Sequence, residues 1–175
     1  MKGSNPVIVL PRFTICDLGA VRSYSLNETF THVISIWGAS ADGHGPAEIK
    51  SFFPASRFHA ARFDDIVFES ASAVTKEMVR SILDFGSGLH VTDKVLVHCM
   101  AGVSRSSSVA YALACQYAVP GNETAVLQKL VAQSPWIKPN RRVVNFSDDI
   151  LRRGGRMSAA IDMLSAQFLA RWSGS

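Results

Sequence analysis

The sequence predicts an α/β domain whose central sheet is mainly parallel and flanked by helices. Three observations point there. Segments rich in β-branched residues in the first half give way to segments of helical period in the second. "DKVLVHC", Asp93–Cys99, is an apolar run without helical period, the mark of a strand buried on both faces. That run passes through a short loop into a helical-period segment after Arg105, a strand–loop–helix hinge.

In chain order, "VIVLP" (Val7–Pro11) and "THVISIW" (Thr31–Trp37) read as strands, the second with Ile34 and Ile36 alternating around Ser35. "GASADGHGPAEIKSFFPAS" is rich in Gly, Pro and small residues, so it reads as a loop with at most a short helical turn. "RFHAARFDDI" (Arg57–Ile66) resumes an extended pattern and ends on paired carboxylates. From Thr75, Met78, Val79, Ile82 and Leu83 share one helical face, with Phe85 close by, and Gly86 and Gly88 mark the end. After Arg105, the positions Val109, Ala110, Leu113, Ala114 and Tyr117 form the next face, stopped by Pro120 and Gly121. Asn122 is placed to cap a helix that turns Val126, Leu127, Leu130 and Val131 inward. Two more helices follow, Asn140 to Leu151 and Met157 to Trp172, the last with a stripe of Ile161, Leu164, Phe168 and Trp172.

Composition narrows the function classes. The chain has 175 residues, 47% hydrophobic and 18% charged, which suits one globular domain over residues 1–175. The net charge of +4 suits acidic ligands, but the basic residues are scattered, so no nucleic-acid partner is expected. No stretch approaches the ~20 apolar residues of a membrane span, and no membrane partner is expected. Pro11 breaks the apolar run of the opening segment, which argues against a signal peptide. Three cysteines without paired spacing, Cys16, Cys99 and Cys115, read as free thiols in a reducing, cytoplasmic setting.

The chemistry concentrates in "VLVHCMAGVSRSS". In open α/β sheets, ligands bind beyond the carboxyl ends of strands. A tight loop there, entering a helix, aims backbone N–H groups and the positive end of the helix dipole at one point. Met100, Ala101, Gly102, Val103 and Ser104 close such a loop between a thiol, Cys99, and a guanidinium, Arg105. Gly102 lets the backbone curl without a Cβ clash. A thiol in that field ionises readily, and Arg105 offers a planar fork for two oxygens of a tetrahedral oxyanion. Together they describe phosphoryl transfer through a phosphocysteine. A structural cysteine packed under a helix is the competing reading.

"VHCMAGVSRSS" resembles the His-Cys-five-residues-Arg-Ser/Thr signature of the cysteine-dependent protein-tyrosine and dual-specificity phosphatases. The wider chain, from Thr31 to Ile161, is similar to a compact bacterial tyrosine-phosphatase-like family, in which "RFxDI"-like and "PNRR"-like segments flank the loop. The resemblance implies a phosphotyrosine-phosphatase-like fold acting on a phosphorylated protein or peptide without metal or cofactor. It implies Cys99 as nucleophile, the loop Met100–Ser104 with Arg105 as phosphate site, and a general acid on the "RFDDI" loop.

Asp64 and Asp65 are the candidates for that acid. Alternation along a strand faces them apart, so one of the two points at the loop. The family-like segment places its Asp directly before Ile, which selects Asp65. The resemblance further assigns His98 a structural hydrogen bond within the loop, and Ser106 a hydroxyl that supports the leaving thiolate. Asn140 matches an Asn that braces the cradle. For Ser106 an ordinary first-turn serine, and for Asn140 a helix cap, are equally compatible with the residues.

Other features rank lower. His32, His44, His59 and His90 have no metal-ligand spacing. Cys115 reads as core. Cys16 reads as a lone apolar thiol, with a protective disulfide to Cys99 as the alternative. Arg141-Arg142 reads as a solvated helix start, with recognition of a second acidic substrate group as the alternative. The loop interior carries no lysine, which demotes phosphoinositides, and the compact length favours a shallow cleft. The expected activity is therefore hydrolysis of phosphotyrosine, extending to phosphoserine and phosphothreonine. The rivals are an idle phosphate-binding module and a rhodanese-like sulfurtransferase.

Overall fold

Arg12–Cys16 (β1), His32–Trp37 (β2), Arg57–Arg62 (β3) and Lys94–His98 (β4) form one sheet in the order β1-β4-β2-β3, every pair parallel. The computed structural model describes residues 9–42 and 44–173, with side chains through residue 166. Parallel neighbours need crossovers, and helices supply them. These are α1 (Val21–Asn27), α2 (His44–Phe52), α3 (Lys76–Phe85), α4 (Arg105–Tyr117), α5 (Glu123–Gln133), α6 (Arg141–Ile150) and α7 (Arg156–Ser173).

Alternation along the strands sorts the core into two layers. Val95 and Val97 of β4 join Phe13, Ile15, Ile34 and Ile36 under α3 to α7. Leu96, between them, joins Cys16 and Val33 under α1 and α2, where Val21 and Ile49 cover it. β4 is thus buried on both faces, as its unbroken apolar run requires. In α4 every residue from Ser106 to Cys115 is buried, so this helix is a core element rather than an amphipathic cover. Its far end is held by Arg153, which donates to the Cys115 and Ala118 carbonyls and pairs with buried Glu123 at 3.3 Å. No helix of the described residues is long and apolar enough to cross a membrane.

Several elements differ from the sequence expectation. The first strand lies after Pro11, not before it: Val9 to Pro11 is not strand, and Val7 and Ile8 lie outside the described residues. Pro11 ends nothing here, because the ladder begins with Arg12, whose N–H bonds the Asp93 carbonyl at 2.9 Å. α1 was not expected, since Arg22, Ser23 and Ser25 obscure its short apolar face. The Gly/Pro-rich stretch holds a nine-residue helix, α2, with Pro46 in its first turn where no N–H is needed. β3 stops at Arg62 instead of Ile66. Phe63 turns into the core, and Asp64 keeps only an isolated bridge to Ala73.

Thr75 caps α3, its hydroxyl accepting from Met78 N–H at 3.3 Å, and Met78, expected on the inward face, is exposed. Asn122 occupies the position before α5 without a side-chain cap bond. Phe168 and Trp172, half of the stripe expected on α7, have side chains outside the described residues.

Candidate active site

β4 delivers Cys99 to the carboxyl edge of the sheet, and the chain curls from there to the first turn of α4. The curl needs Gly102 twice over. Its φ is +67°, and a Cβ there would lie 2.5 Å from the Asp17 backbone nitrogen and 2.6 Å from the Cys16 carbonyl carbon. The turn after β1 therefore backs the loop directly, and Leu18 N–H donates to the Met100 carbonyl at 3.2 Å.

A loop that turns its N–H groups inward must turn its carbonyls outward, and those carbonyls need donors. One segment supplies them in step. The Trp136 indole N–H reaches the Gly102 carbonyl at 3.3 Å, Lys138 N–H the Val103 carbonyl at 3.0 Å, and Asn140 N–H the Ser104 carbonyl at 3.4 Å. The Ser107 hydroxyl adds donations to Val103 at 2.5 Å and Ser104 at 2.9 Å. Each carbonyl held outward fixes the N–H of the same peptide, on Val103, Ser104 and Arg105, toward the centre. The result is an anion-binding concavity at the start of α4.

Cys99 sits in this concavity, 2% exposed. Its sulfur lies 3.2 Å from the Ser106 hydroxyl and accepts Gly102 N–H at 3.3 Å. Burial alone would raise the thiol pKa. The Ser106 hydroxyl and N–H, the Gly102 N–H and the charge of Arg105 outweigh it and hold the thiol below the ordinary cysteine value. His98 is buried with Nε2 2.7 Å from the Ser35 hydroxyl, which also accepts the Trp37 indole N–H at 2.7 Å. Its Nδ1 is buried without a hydrogen-bond partner among the described residues. Burial lowers its pKa to about 4, so it is neutral at physiological pH and orders the loop rather than abstracting a proton.

Arg105 donates to the Phe63 carbonyl at 3.1 Å, which ties the guanidinium to the segment after β3. The two carboxylates of that segment, beyond the end of β3, make different contacts. Asp64 accepts Ala39 N–H at 3.0 Å, and that bond, the Ser72 hydroxyl and the charge of Arg105 hold its carboxyl below the usual range. Asp65 faces the loop. Its Oδ1 accepts the Ser104 hydroxyl at 2.7 Å and Asn140 Nδ2–H at 2.8 Å.

The Asn140 side chain caps a helix at one end and ties the acidic segment at the other. Its Oδ1 caps α6, accepting from Arg142 N–H at 3.0 Å and Val143 N–H at 3.2 Å, while its Nδ2 braces the acidic segment at Asp65 and at the Ile66 carbonyl.

The structure thus gathers Cys99, Gly102, Val103, Ser104, Arg105, Ser106, Asp65 and Asn140 around one point, with His98 beneath; Met100 and Ala101 form the exposed outer lip. Trp136 and Lys138 were missed. The signal was the outward carbonyls, whose donors must come from a segment close to Asn140. Cys16 and Cys99 are both buried free thiols, and the turn that follows Cys16 backs the loop that follows Cys99. Arg141-Arg142 opens α6, with Arg141 exposed and Arg142 partly covered. Arg141 is paired to Asp162, and Arg142 bonds Glu69 and the Val74 carbonyl while stacking over Phe146.

No family model and no curated protein matches the sequence. Solved structures do match in fold. PTPMT1 superposes with a TM-score of 0.56 at 15% identity, over 83% of this chain and 95% of that one. Human DUSP28 gives 0.56 at 14%, over 91% and 97%, and the active form of Tk-PTP gives 0.54 at 16%, over 87% and 99%. The chain has the fold of the cysteine-dependent protein-tyrosine and dual-specificity phosphatases.

Proposed function

We propose that this chain is a protein phosphatase, hydrolysing phosphotyrosine and, in a shallow cleft, phosphoserine and phosphothreonine through a phosphocysteine intermediate. One observation carries the reading: a thiol held below its ordinary pKa faces an Arg-closed cradle to which a carboxylate, Asp65, is tied by Ser104 and Asn140. The dual-specificity phosphatases among the structural neighbours support it.

In the first step the Cys99 thiolate attacks phosphorus, an S–P bond forms and the ester P–O bond breaks. The inward N–H groups and the Arg105 fork hold the non-bridging oxygens as charge spreads over them. The leaving phenoxide takes a proton from Asp65. Both hydrogen bonds to Asp65 fall on Oδ1 as acceptor, so the transferable proton resides on Oδ2. In the second step water attacks the phosphocysteine, Asp65 takes back a proton, and the thiolate leaves toward the Ser106 hydroxyl. Inorganic phosphate is released. Nothing in these steps calls for a metal.

PTPMT1 has been solved in complex with PI(5)P. Here the loop between Cys99 and Arg105 has no lysine for extra phosphates, which favours phosphoprotein substrates. Turnover of p-nitrophenyl phosphate and of phosphotyrosine peptides, insensitive to EDTA, is the expected result. Phosphate binding without turnover would establish the idle module, and thiocyanate formed from thiosulfate and cyanide would establish sulfur transfer.

A further inference from the structure

The segment that satisfies the outward carbonyls also forms one wall of a groove. Ile137, Lys138, Pro139 and Arg141 face Ile161, Leu164 and Ser165 of α7 across a cavity of about 340 Å³. Ile137 and Ile161 are buried and Leu164 is half-buried, so the lining is apolar at depth. The rim is charged unevenly. The Arg141 guanidinium is engaged at two points by Asp162, one of them 2.9 Å long. The Lys138 ammonium is exposed and has no ion pair among the described residues. The groove adjoins the outer side of the loop, since Lys138 on its wall also donates its N–H to the Val103 carbonyl.

We propose that this groove docks the residues flanking the phosphorylated one in a protein substrate. An apolar side chain lies against Ile161 and Leu164, and a neighbouring carboxylate meets Lys138. The proposal rests on the phosphatase reading. The cavity is at the small end of the ~300–1,000 Å³ typical of ligand sites, which suits side chains rather than a folded partner. An extended peptide advances about 3.3 Å per residue, so the proposal places the groove within reach of a position a few residues from a phosphotyrosine in the cradle. A single uncommitted cation matches one carboxylate. A phosphoinositide headgroup, with several phosphates, would call for more cations than the rim and the lysine-free loop supply.

The test is kcat/KM on phosphotyrosine peptides in which a Leu-Glu pair is stepped through the flanking positions of an alanine background. p-Nitrophenyl phosphate and PI(5)P vesicles run in parallel. One offset should raise kcat/KM about tenfold over the alanine peptide, through KM. Leu164→Glu should abolish that gain when each rate is divided by the same variant's rate on p-nitrophenyl phosphate. Lys138→Glu should shift the preference from Leu-Glu to Leu-Lys. The proposal is overturned if no offset gives a gain, if the gain survives both variants, or if vesicle hydrolysis is what both variants lose.

Failure of the wild-type protein to turn over p-nitrophenyl phosphate would overturn the phosphatase reading instead. Fluorescence anisotropy of the best-offset phosphopeptide still tests the groove in that case. Docking predicts a Kd about tenfold weaker in Leu164→Glu, and an equal Kd sinks it.

Discussion

The loop that enters α4 and the last turns of that helix each hold a buried cysteine, and the two are driven in opposite directions. Cys99, at the amino end, is held below the ordinary thiol value. Cys115, in the last turns, is pushed up to about 12 by burial, although the Tyr111 hydroxyl and the Arg153 charge act to lower it. Cys16 is likewise raised to about 12, by burial and by the charges of Asp17 and Cys99. Burial therefore does not distinguish a nucleophile from a core thiol. What does is the set of donors aimed at the sulfur: Gly102 N–H, Ser106 and Arg105 at one end of the helix, against a single hydroxyl and a guanidinium committed to backbone carbonyls and Glu123 at the other. The helix dipole adds to the same asymmetry, positive at Arg105 and negative near Cys115.

Removing the low-pKa thiol breaks the comparison most completely. Cys99→Ser should reduce turnover to background while leaving oxyanion binding, because the inward N–H groups and Arg105 remain. Isothermal titration with vanadate or phosphate checks the second half. Alkylation of the native protein at mildly acidic pH, read by mass spectrometry, should mark Cys99 and spare Cys16 and Cys115. Labelling of all three at similar rates would refute the asymmetry. Arg105→Lys comes next, with kcat/KM lowered by about 10³-fold, since a point charge cannot reproduce the fork on the transferring group. A near-normal value would make Arg105 a structural tie to Phe63 only.

The acid gives a smaller and more conditional effect. Asp65→Asn should lower kcat by about 10²–10⁴-fold for esters with poor leaving groups. The loss should shrink for p-nitrophenyl phosphate, whose phenol leaves without much protonation. The alkaline limb of the kcat–pH profile, where the acid has lost its proton, should vanish as well. Asp64→Asn should do far less, because that carboxylate is committed to Ala39 N–H and held in its charged form. If Asp64→Asn shows the larger, leaving-group-dependent loss, the two carboxylates have exchanged roles.

The sequence made the cradle and the sheet legible for different reasons. Cys99, Gly102 and Arg105 are readable because their spacing and chemistry admit few alternatives. β4 is readable because two-faced burial leaves an unbroken apolar run. β1 was misplaced because "RFTIC" carries one charge and one hydroxyl, and its inward residues Phe13 and Ile15 are outscored by "VIVLP" next door. Ser35 was read as the polar half of a two-residue alternation, yet it is buried, where it carries the hydrogen bonds of His98 and Trp37. The carbonyl-holding segment left no periodic trace at all. Its contacts with the loop run over more than thirty residues of sequence through the backbones of Lys138 and Asn140, and backbone donors have no side-chain signature.

Ser106 tests the comparison most finely, because it is one donor among several. Its hydroxyl approaches the Cys99 sulfur at 3.2 Å and, with the Ser106 N–H, lowers the thiol pKa. Ser106→Ala removes the hydroxyl but keeps the N–H, the Gly102 bond and Arg105, so the thiol should remain depressed, only less so. A hydrogen bond to a charged group contributes about 1.5–3 kcal/mol, of which the remaining N–H groups and Arg105 recover some, and about 1.4 kcal/mol moves a pKa by one unit. The sign follows from the mechanism. The reactive form is the thiolate, so raising its pKa moves the acidic limb of the kcat/KM profile to higher pH, by about one pH unit. At a pH below that limb the variant loses about tenfold, and on the plateau above it kcat/KM returns toward the wild-type value. kcat should fall further than kcat/KM, because the same hydroxyl receives the thiolate when water displaces it from phosphocysteine. Burst kinetics with p-nitrophenyl phosphate separate the two: a larger burst with a slower steady state places Ser106 in the second step. If neither the limb nor the burst moves, Ser106 is an ordinary first-turn serine, and the depression of Cys99 belongs to the backbone N–H groups and Arg105 alone.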